Sequence, residues 1–331
     1  MIIISRSPYR ISLLGGGSDL DWFVKDNIYG LSLGYALSKY TYTVINELPS
    51  TSKRGILNYS SREEYTENND IAHPLIRSAF EEFQINDLLE ISSFGFASRG
   101  SGLGGSSSFL NAILKGLCFL KKEELNNDEL AFLASNIEIN KLNKPIGRQD
   151  HYISANGNFS CLKFSDQNKK VNKINLDDSK QKFLEKVINK LYLVPSFISR
   201  PADKVLNKLK DSPQAKNDLL EIRSFAEKFI SLEDDREYVL EETFNNCVKE
   251  SWKIKRKMSG VMTDILNEQY EQINKIPNNW IRLLGAGSGG YFLISSKADE
   301  KNTEENFLKN GISDFFKASL SKSGAEIVHF S

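Results

Sequence analysis

Residues 99–117 read RGSGLGGSSSFLNAILKGL, a glycine-serine run that passes without a break into an apolar segment of helical period. A helix that starts on a flexible backbone is an anion site. Its first N–H groups lack partners, and the positive end of its dipole points the same way. Gly100, Gly102, Gly104 and Gly105 permit positive φ and let a ligand approach the main chain. Ser106, Ser107 and Ser108 can cap the helix or offer hydroxyls to a metal. Phe109, Leu110, Ile113, Leu114 and Leu117 then recur near the helical period. Most Gly/Ser runs are linkers. A linker does not flow into a periodic apolar helix, so the segment reads as a phosphate cradle.

Length and charge narrow the remaining classes. The 331 residues suit two domains with ample cores. Lys plus Arg equals Asp plus Glu at 43 each, so no net field draws the chain to nucleic acid or to acidic membranes. Small anionic substrates stay open, because they need local charge only. Cys118, Cys161 and Cys247 are too few and too far apart for a disulfide framework or a metal knuckle. His73, His151 and His329 are equally scattered, which speaks against zinc. The apolar run in MIIISRSPYR is too short for a secretory leader, and no long uncharged apolar stretch follows. The expectation is a cytoplasmic protein.

The pattern predicts strands at 2–5, 31–46, 89–96, 158–164, 191–195 and on both sides of a turn within 280–294, with a second apolar stretch at 10–14 ending in the turn Gly15-Gly16-Gly17. Helices are expected at 74–83, 127–143, 202–209, 217–232 and 237–258, with a short one starting at His151. Residues 165–182, dense in Lys, Asn and Asp, are the most linker-like stretch. The expected division is therefore an N-terminal nucleotide-binding domain over 1–184 and a C-terminal domain over 185–331. Strands mixed irregularly with helices argue for α+β rather than a doubly wound parallel sheet.

Three glycine-rich segments stand out: LLGGGSDL at 13–20, GSGLGGSSS at 100–108 and GAGSGG at 285–290. The first lacks the last glycine of a dinucleotide fingerprint, and the second lacks the Gly-Lys-Ser/Thr of a Walker loop. Taken together they resemble the GHMP kinase family. SPYRISLLGGGSDL supplies Pro8, Arg10, Leu13, Leu14, Gly15 and Asp19 where the family has its N-terminal motif. Gly102, Leu103, Gly104 and the serines 106–108 match its phosphate loop, and 285–290 match its late glycine turn. GRQDHYISANGNF, residues 147–159, resembles the segment that carries its catalytic aspartate.

The resemblance implies a two-domain fold, with an N-terminal domain like a ribosomal protein, a ferredoxin-like C-terminal domain and the site between them. It implies that the loop Gly100, Ser101, Gly102, Leu103, Gly104, Gly105, Ser106 and Ser107 binds ATP. Mg²⁺ would be held by Ser106 or Ser107 and by Glu138. Asp150 would be the general base, although an Asp before an apolar run also commonly caps a helix. Arg10 would lie near that carboxylate and counter charge on the γ-phosphate. Asp19 would accept hydrogen bonds from sugar hydroxyls, with Gly16, Gly17, Arg148 and Gly287 lining the substrate. Glycine at 16 and 17, where galactokinases carry side chains, would leave extra room for a longer sugar. Arg99, Arg148, Arg200, Lys204 and Arg282 are candidates for a distal phosphate. From helix geometry alone, His151 would point about 100° away from Asp150, and reads as structural or substrate-lining.

Within the family, GRQDHYISANG and SRPADKVLNKL (199–209) resemble the branch that phosphorylates the anomeric hydroxyl of D-glycero-D-manno-heptose 7-phosphate. The partner expected is a sugar phosphate, with no nucleic acid and no membrane. A kinase for an unphosphorylated sugar such as galactose or fucose is the alternative within the class. A non-catalytic nucleotide or sugar sensor on the same fold is the alternative outside it.

Overall fold

The computed structural model describes residues 1–25, 28–97, 100–166, 171–199 and 201–331. Its first half runs β1 (Ile2–Leu14), β2 (Gly30–Glu47), β3 (Gly55–Asn58), β4 (Arg62–Tyr65), α1 (Pro74–Glu82), β5 (Leu89–Gly95), α2 (Gly105–Leu120) and α3 (Asn127–Asn136). A π turn at Ile137–Lys141 follows, then α4 (Gln149–Asn156), β6 (Phe159–Phe164) and β7 (Val171–Lys173). The second half runs α5 (Asp178–Ile188), β8 (Leu191–Pro195), α6 (Ala202–Lys210), α7 (Ala215–Ile230), α8 (Glu237–Lys255), α9 (Asp264–Ile273), β9 (Asn278–Leu283), β10 (Tyr291–Ser296), α10 (Glu300–Lys309), β11 (Phe316–Lys317) and β12 (Glu326–Phe330).

The strands form two sheets among the described residues. The larger has the order β12-β1-β2-β5-β3-β4, with β6 and β7 extending from the other half of β2. The smaller has the order β11-β8-β10-β9. The last strand, β12, thus returns to β1, while α5 places Phe183 and Leu184 in one core with Phe229 and Phe244 of α7 and α8. No described helix is long and apolar enough to cross a membrane.

β1 organises the interior. The two separate stretches expected at 2–5 and 10–14 are one strand of 13 residues. Its exposure alternates over its first residues, and from Ser7 onward every residue is buried. A strand buried on both faces has to lie between two layers. Tyr9, Ile11 and Leu13 join the core formed with the C-terminal half, whereas Ile3 belongs to the core under the N-terminal helices.

Between these two sets of residues the register with β2 shifts, between Pro8 and Tyr9. Pro8 cannot donate to a ladder, so a bulge beside it is physically apt. Across the shift the β2 partners step from Tyr40 to Leu37, so the extra residues, Ser38 and Lys39, lie on β2. Ser7 Oγ donates to the Ser154 carbonyl of α4, and after the bulge Arg10 again faces α4.

The long helix expected over 127–143 stops at Asn136 and gives way to the π turn, closed by Leu142 N–H to the Ile137 carbonyl at 3.0 Å. π turns recur at functional sites because they re-aim one side chain, and here the residue concerned is Glu138.

Phe244 is fully buried and sits 5.1 Å from Phe229, 5.7 Å from Phe183 and 6.3 Å from Trp280 between ring centres. Phe244→Ala is expected to lower stability by about 3–5 kcal/mol, read as the shift in the denaturant midpoint at unchanged m.

Candidate active site

α2 begins at Gly105, with Gly104 at its N-cap in the left-handed region (φ 73°) and no side chain capping it. Its first N–H groups are therefore left for a ligand. The serines do not cap the helix, contrary to one sequence-based expectation. Ser108 instead turns inward, donating to the Ser7 carbonyl at 2.8 Å and to Thr41 Oγ1 at 3.0 Å. Glycine is required at 104 on a second ground as well. A Cβ there would lie 2.9 Å from Arg10 Cγ, so a side chain would collide with the arginine.

Arg10 N–H bonds the Leu103 carbonyl at 2.9 Å, and Nη1 bonds the Gly102 carbonyl at 2.6 Å, which fixes the loop to β1. Its Nε donates to Asp150 Oδ1 at 2.5 Å and its Nη2 to Oδ2, the bidentate geometry that makes such pairs strong. The Asp150 side chain keeps 25% exposure, so it is open to a ligand while the arginine is almost wholly buried. Asp150 is not the cap of α4. That position is Arg148, and Asp150 lies in the first turn.

Asp19 is buried and engaged. Its oxygens accept from Gln149 N–H at 2.9 Å, Gln149 Nε2 at 3.0 Å and Gly17 N–H at 3.2 Å. Burial raises its pKa, and the Asp150 charge adds to that against the Gln149 bond. In this geometry Asp19 pins the start of α4, and so the position of Asp150. Arg148 pairs with Asp21 at 2.6 Å.

The glycines at 16 and 17 do not open extra room. A Cβ at 16 would meet Ser12 Oγ at 2.6 Å, and one at 17 would meet Leu219 Cδ2 at 3.0 Å. The expectation of a widened pocket at these positions is therefore corrected: neighbours already fill the space. Gly287 faces Val261, whose Cα would lie 2.6 Å from a Cβ there. Lys204 is exposed on α6, while Arg99 and Arg200 lie outside the described residues.

Glu138 is fully buried rather than a solvated helix-face charge. Ser106 Oγ donates to Oε1, Lys144 Nζ reaches the same oxygen at 2.6 Å, and His151 Nε2 meets Oε2 at 2.8 Å. Burial pushes the carboxyl up, but the His151 bond and the charges of His151 and Lys144 outweigh it and bring the pKa to about 2. His151 thus supports the site from behind through Glu138, a role its sequence position beside Asp150 does not reveal.

Of the two serines offered as metal ligands, the structure brings Ser106 to Glu138. Ser107 is buried one residue on, with no bond to that carboxylate. A hydroxyl and a carboxylate are the hard oxygen donors that Mg²⁺ takes, so the pair fits such an ion. Among the described residues no group of three or more His, Cys, Asp or Glu could hold a metal alone. Phosphate oxygens and water would have to complete the shell.

The late glycine turn lies against the phosphate loop. A Cβ on Gly285 would be 2.5 Å from Gly102 Cα, and one on Gly290 would be 2.3 Å from the Ser101 carbonyl. Arg282, at the end of β9, is buried and donates through Nη1 to the Leu13 carbonyl. Burial and then the neighbouring Arg10 lower its pKa to about 10. Lys255, Gln149 and Lys144 are site residues absent from the sequence-based set. Lys144 and Lys255 lie outside the matched segments, while Gln149 sits within 147–159, directly before Asp150.

Residues 74–158 match the family profile of the GHMP kinases N terminal domain. The chain is 25% identical over 308 residues to the D-glycero-alpha-D-manno-heptose 7-phosphate kinase of Campylobacter jejuni, covering 88% of each. It is 23% identical over 326 residues to the bifunctional fucokinase/GDP-fucose pyrophosphorylase of Arabidopsis thaliana, covering 90% of this chain and 30% of that one. The crystal structure of a D-glycero-D-manno-heptose 1-phosphate kinase from Bacteroides thetaiotaomicron aligns over 100% of both chains, with a TM-score of 0.76 at 20% identity. Lactococcus lactis galactokinase complexed with galactose aligns over 98% of this chain and 95% of that one, with a TM-score of 0.67 at 14% identity. The α+β fold expected from the sequence is the one these structures share.

A carboxylate whose pKa is lowered by folding stabilises the protein above its ordinary value, here 4.5, and loses that contribution as pH falls toward about 2. Glu138→Gln is therefore expected to lower the thermal midpoint at neutral pH. The gap to wild type should narrow between about pH 5 and pH 3, followed by calorimetry at a series of pH values.

Proposed function

We propose that the chain is a GHMP kinase, a phosphotransferase with an alcohol group as acceptor, and that it transfers the γ-phosphoryl group of ATP to the anomeric hydroxyl of D-glycero-D-manno-heptose 7-phosphate. The product is the 1,7-bisphosphate, an intermediate toward GDP-heptose. The observation that carries the reading is the Arg10–Asp150 pair, fixed by Gly102 against the open N-terminus of α2. A binding module needs a phosphate cradle but has no need of a partly exposed carboxylate beside it.

Phosphoryl transfer leaves little covalent work for the protein, so positioning and charge stabilisation carry the catalysis. The first-turn N–H groups of α2 hold the nucleotide's phosphates. Asp150 takes the proton of the anomeric hydroxyl as its oxygen bonds to phosphorus, and the bond to ADP breaks. Arg10 orients that carboxylate and faces the charge developing on the transferred group. Ser106 and Glu138 are the residues that would hold Mg²⁺, which supplies neutralising charge to the phosphates when bound.

A hydroxyl-rich acceptor is supported by polar atoms that the protein leaves unsatisfied. Ser12 Oγ beside Gly16 and Gln149 Oε1 beside Asp19 are buried without a hydrogen-bond partner. Unpaired buried polar atoms are costly, and a sugar would satisfy them. The heptose 7-phosphate is chosen over other sugars on the relative that is 25% identical over 88% of the chain. The likeness to a fucokinase and to a galactokinase keeps an unphosphorylated sugar as the second reading.

ADP release measured over a panel of sugars and sugar phosphates separates these readings. Turnover with the heptose 7-phosphate is expected. Reaction with unphosphorylated sugars alone would move the assignment to the second reading, and ATP binding without any turnover would favour the sensor. Asp150→Asn is expected to lower kcat by about 10²–10⁴-fold while nucleotide binding stays within a few-fold of wild type.

A further inference from the structure

We propose that Lys255 is a second catalytic cation, contributed by the C-terminal half, that binds the terminal phosphate of the nucleotide beside Arg10; this rests on the kinase reading above. Lys255 closes α8, and its Nζ donates to the Gly285 carbonyl at 2.7 Å. Gly285 packs on Gly102, whose own carbonyl receives Arg10 Nη1. The ammonium and the guanidinium therefore stand on the carbonyls of two residues whose backbones pack closely, one from each half of the chain.

The local charges do not balance. Arg282 of β9, Arg10 of β1, Asp19 of the loop after β1 and Asp150 of α4 all act electrostatically on Lys255. Asp150 is committed to Arg10, and Asp19 to Gln149 and Gly17. Among the described residues no carboxylate lies within ion-pair distance of Lys255 or of Arg282, and the buried Nε of Arg282 has no partner. Nearby, Lys253 pairs with Glu250, and Arg256 lies over Tyr270 and near Glu271. Enclosed positive charge without a counterion is unfavourable, so the cluster is complete only with an anion. An ammonium has three donors, and one is used on Gly285.

The anion is the nucleotide's terminal phosphate rather than the acceptor's own. Lys255 lies within the field of Asp150, the group that takes the reacting hydroxyl, and against the loop that holds the nucleotide. A 7-phosphate lies at the opposite end of the sugar from the anomeric carbon. Burial, then Arg282 and Arg10, draw the Lys255 pKa down to about 7, with Asp19 and Asp150 working against them. Above that pH the free protein carries a neutral amine, and an arriving phosphate restores the proton.

The test titrates AMP-PNP, ADP and heptose 7-phosphate separately into the intact protein above about pH 7, in buffers of different ionisation enthalpy. Wild type is expected to take up a proton with AMP-PNP and little with ADP. Lys255→Arg should bind AMP-PNP without that uptake, and the difference removes the analogue's own protons. In turnover, wild-type kcat/KM should fall about tenfold per pH unit above the Lys255 pKa, and Lys255→Arg should abolish that limb. Lys255→Met should lower kcat about a hundredfold or more with ADP affinity within a few-fold of wild type. Unchanged uptake in Lys255→Arg, or kcat of Lys255→Met within about twofold of wild type, overturns the proposal. Uptake with heptose 7-phosphate alone also overturns it, by giving Lys255 to the acceptor. Proton uptake on AMP-PNP in a protein that turns over no acceptor would refute the kinase reading and leave the Lys255 contact standing.

Discussion

Arg10 grips Asp150 through Nε and Nη2 while its Nη1 holds the Gly102 carbonyl, so one guanidinium ties a strand, a helix and a loop together. Each attachment constrains the others. Gly104 has to be glycine because the arginine stem passes where its Cβ would stand. The start of α4 has to be held, since a shift there would move Asp150 away, and Asp19 holds it through Gln149. A bidentate ion pair tolerates little displacement of either partner. The register shift between Pro8 and Tyr9 lies on the same strand, just upstream of Arg10.

Much of this was legible in the sequence, for a reason that can be stated. The glycine segments are visible because backbone needs (positive φ at Gly104, close approach at Gly285) admit almost no other residue. Arg10 and Asp150 came with the motifs around them. α1, β5, β8 and the strand-turn-strand of β9 and β10 followed from periodicity, to within a residue or two at their ends. The merging of 2–5 and 10–14 into one strand was hidden by Pro8. A proline ordinarily argues against a continuous strand, and only the bulge reconciles it with one.

What stayed hidden depended on tertiary contact. Glu138 could be read equally as solvated, since its helix looks amphipathic and uninterrupted. The π turn that swings it inward leaves no compositional trace. Lys144 and His151 meet it at 2.6 and 2.8 Å from positions six and thirteen residues away, a pairing no periodicity encodes. The widening inferred for Gly16 and Gly17 failed for a related reason. An absent side chain leaves room only if nothing moves in, and Ser12 and Leu219 did.

The two carboxylate centres of the site, the enclosed Glu138 and the partly exposed Asp150, are therefore held in opposite ways. Glu138 is balanced by Lys144 and His151 and is an ionised group even when fully enclosed. On the Asp150 side, cations exceed available carboxylates, and Arg282 with Lys255 lies outside every ion pair seen among the described residues. A fold with neutral total charge has thus concentrated unmatched positive charge at one internal point. Low dielectric there makes an arriving phosphate count for more than it would at the surface, and it also makes the empty state unfavourable. That cost falls at the contact of Gly102 with Gly285, where the halves meet, so ligand charge acts on the same few atoms that join them.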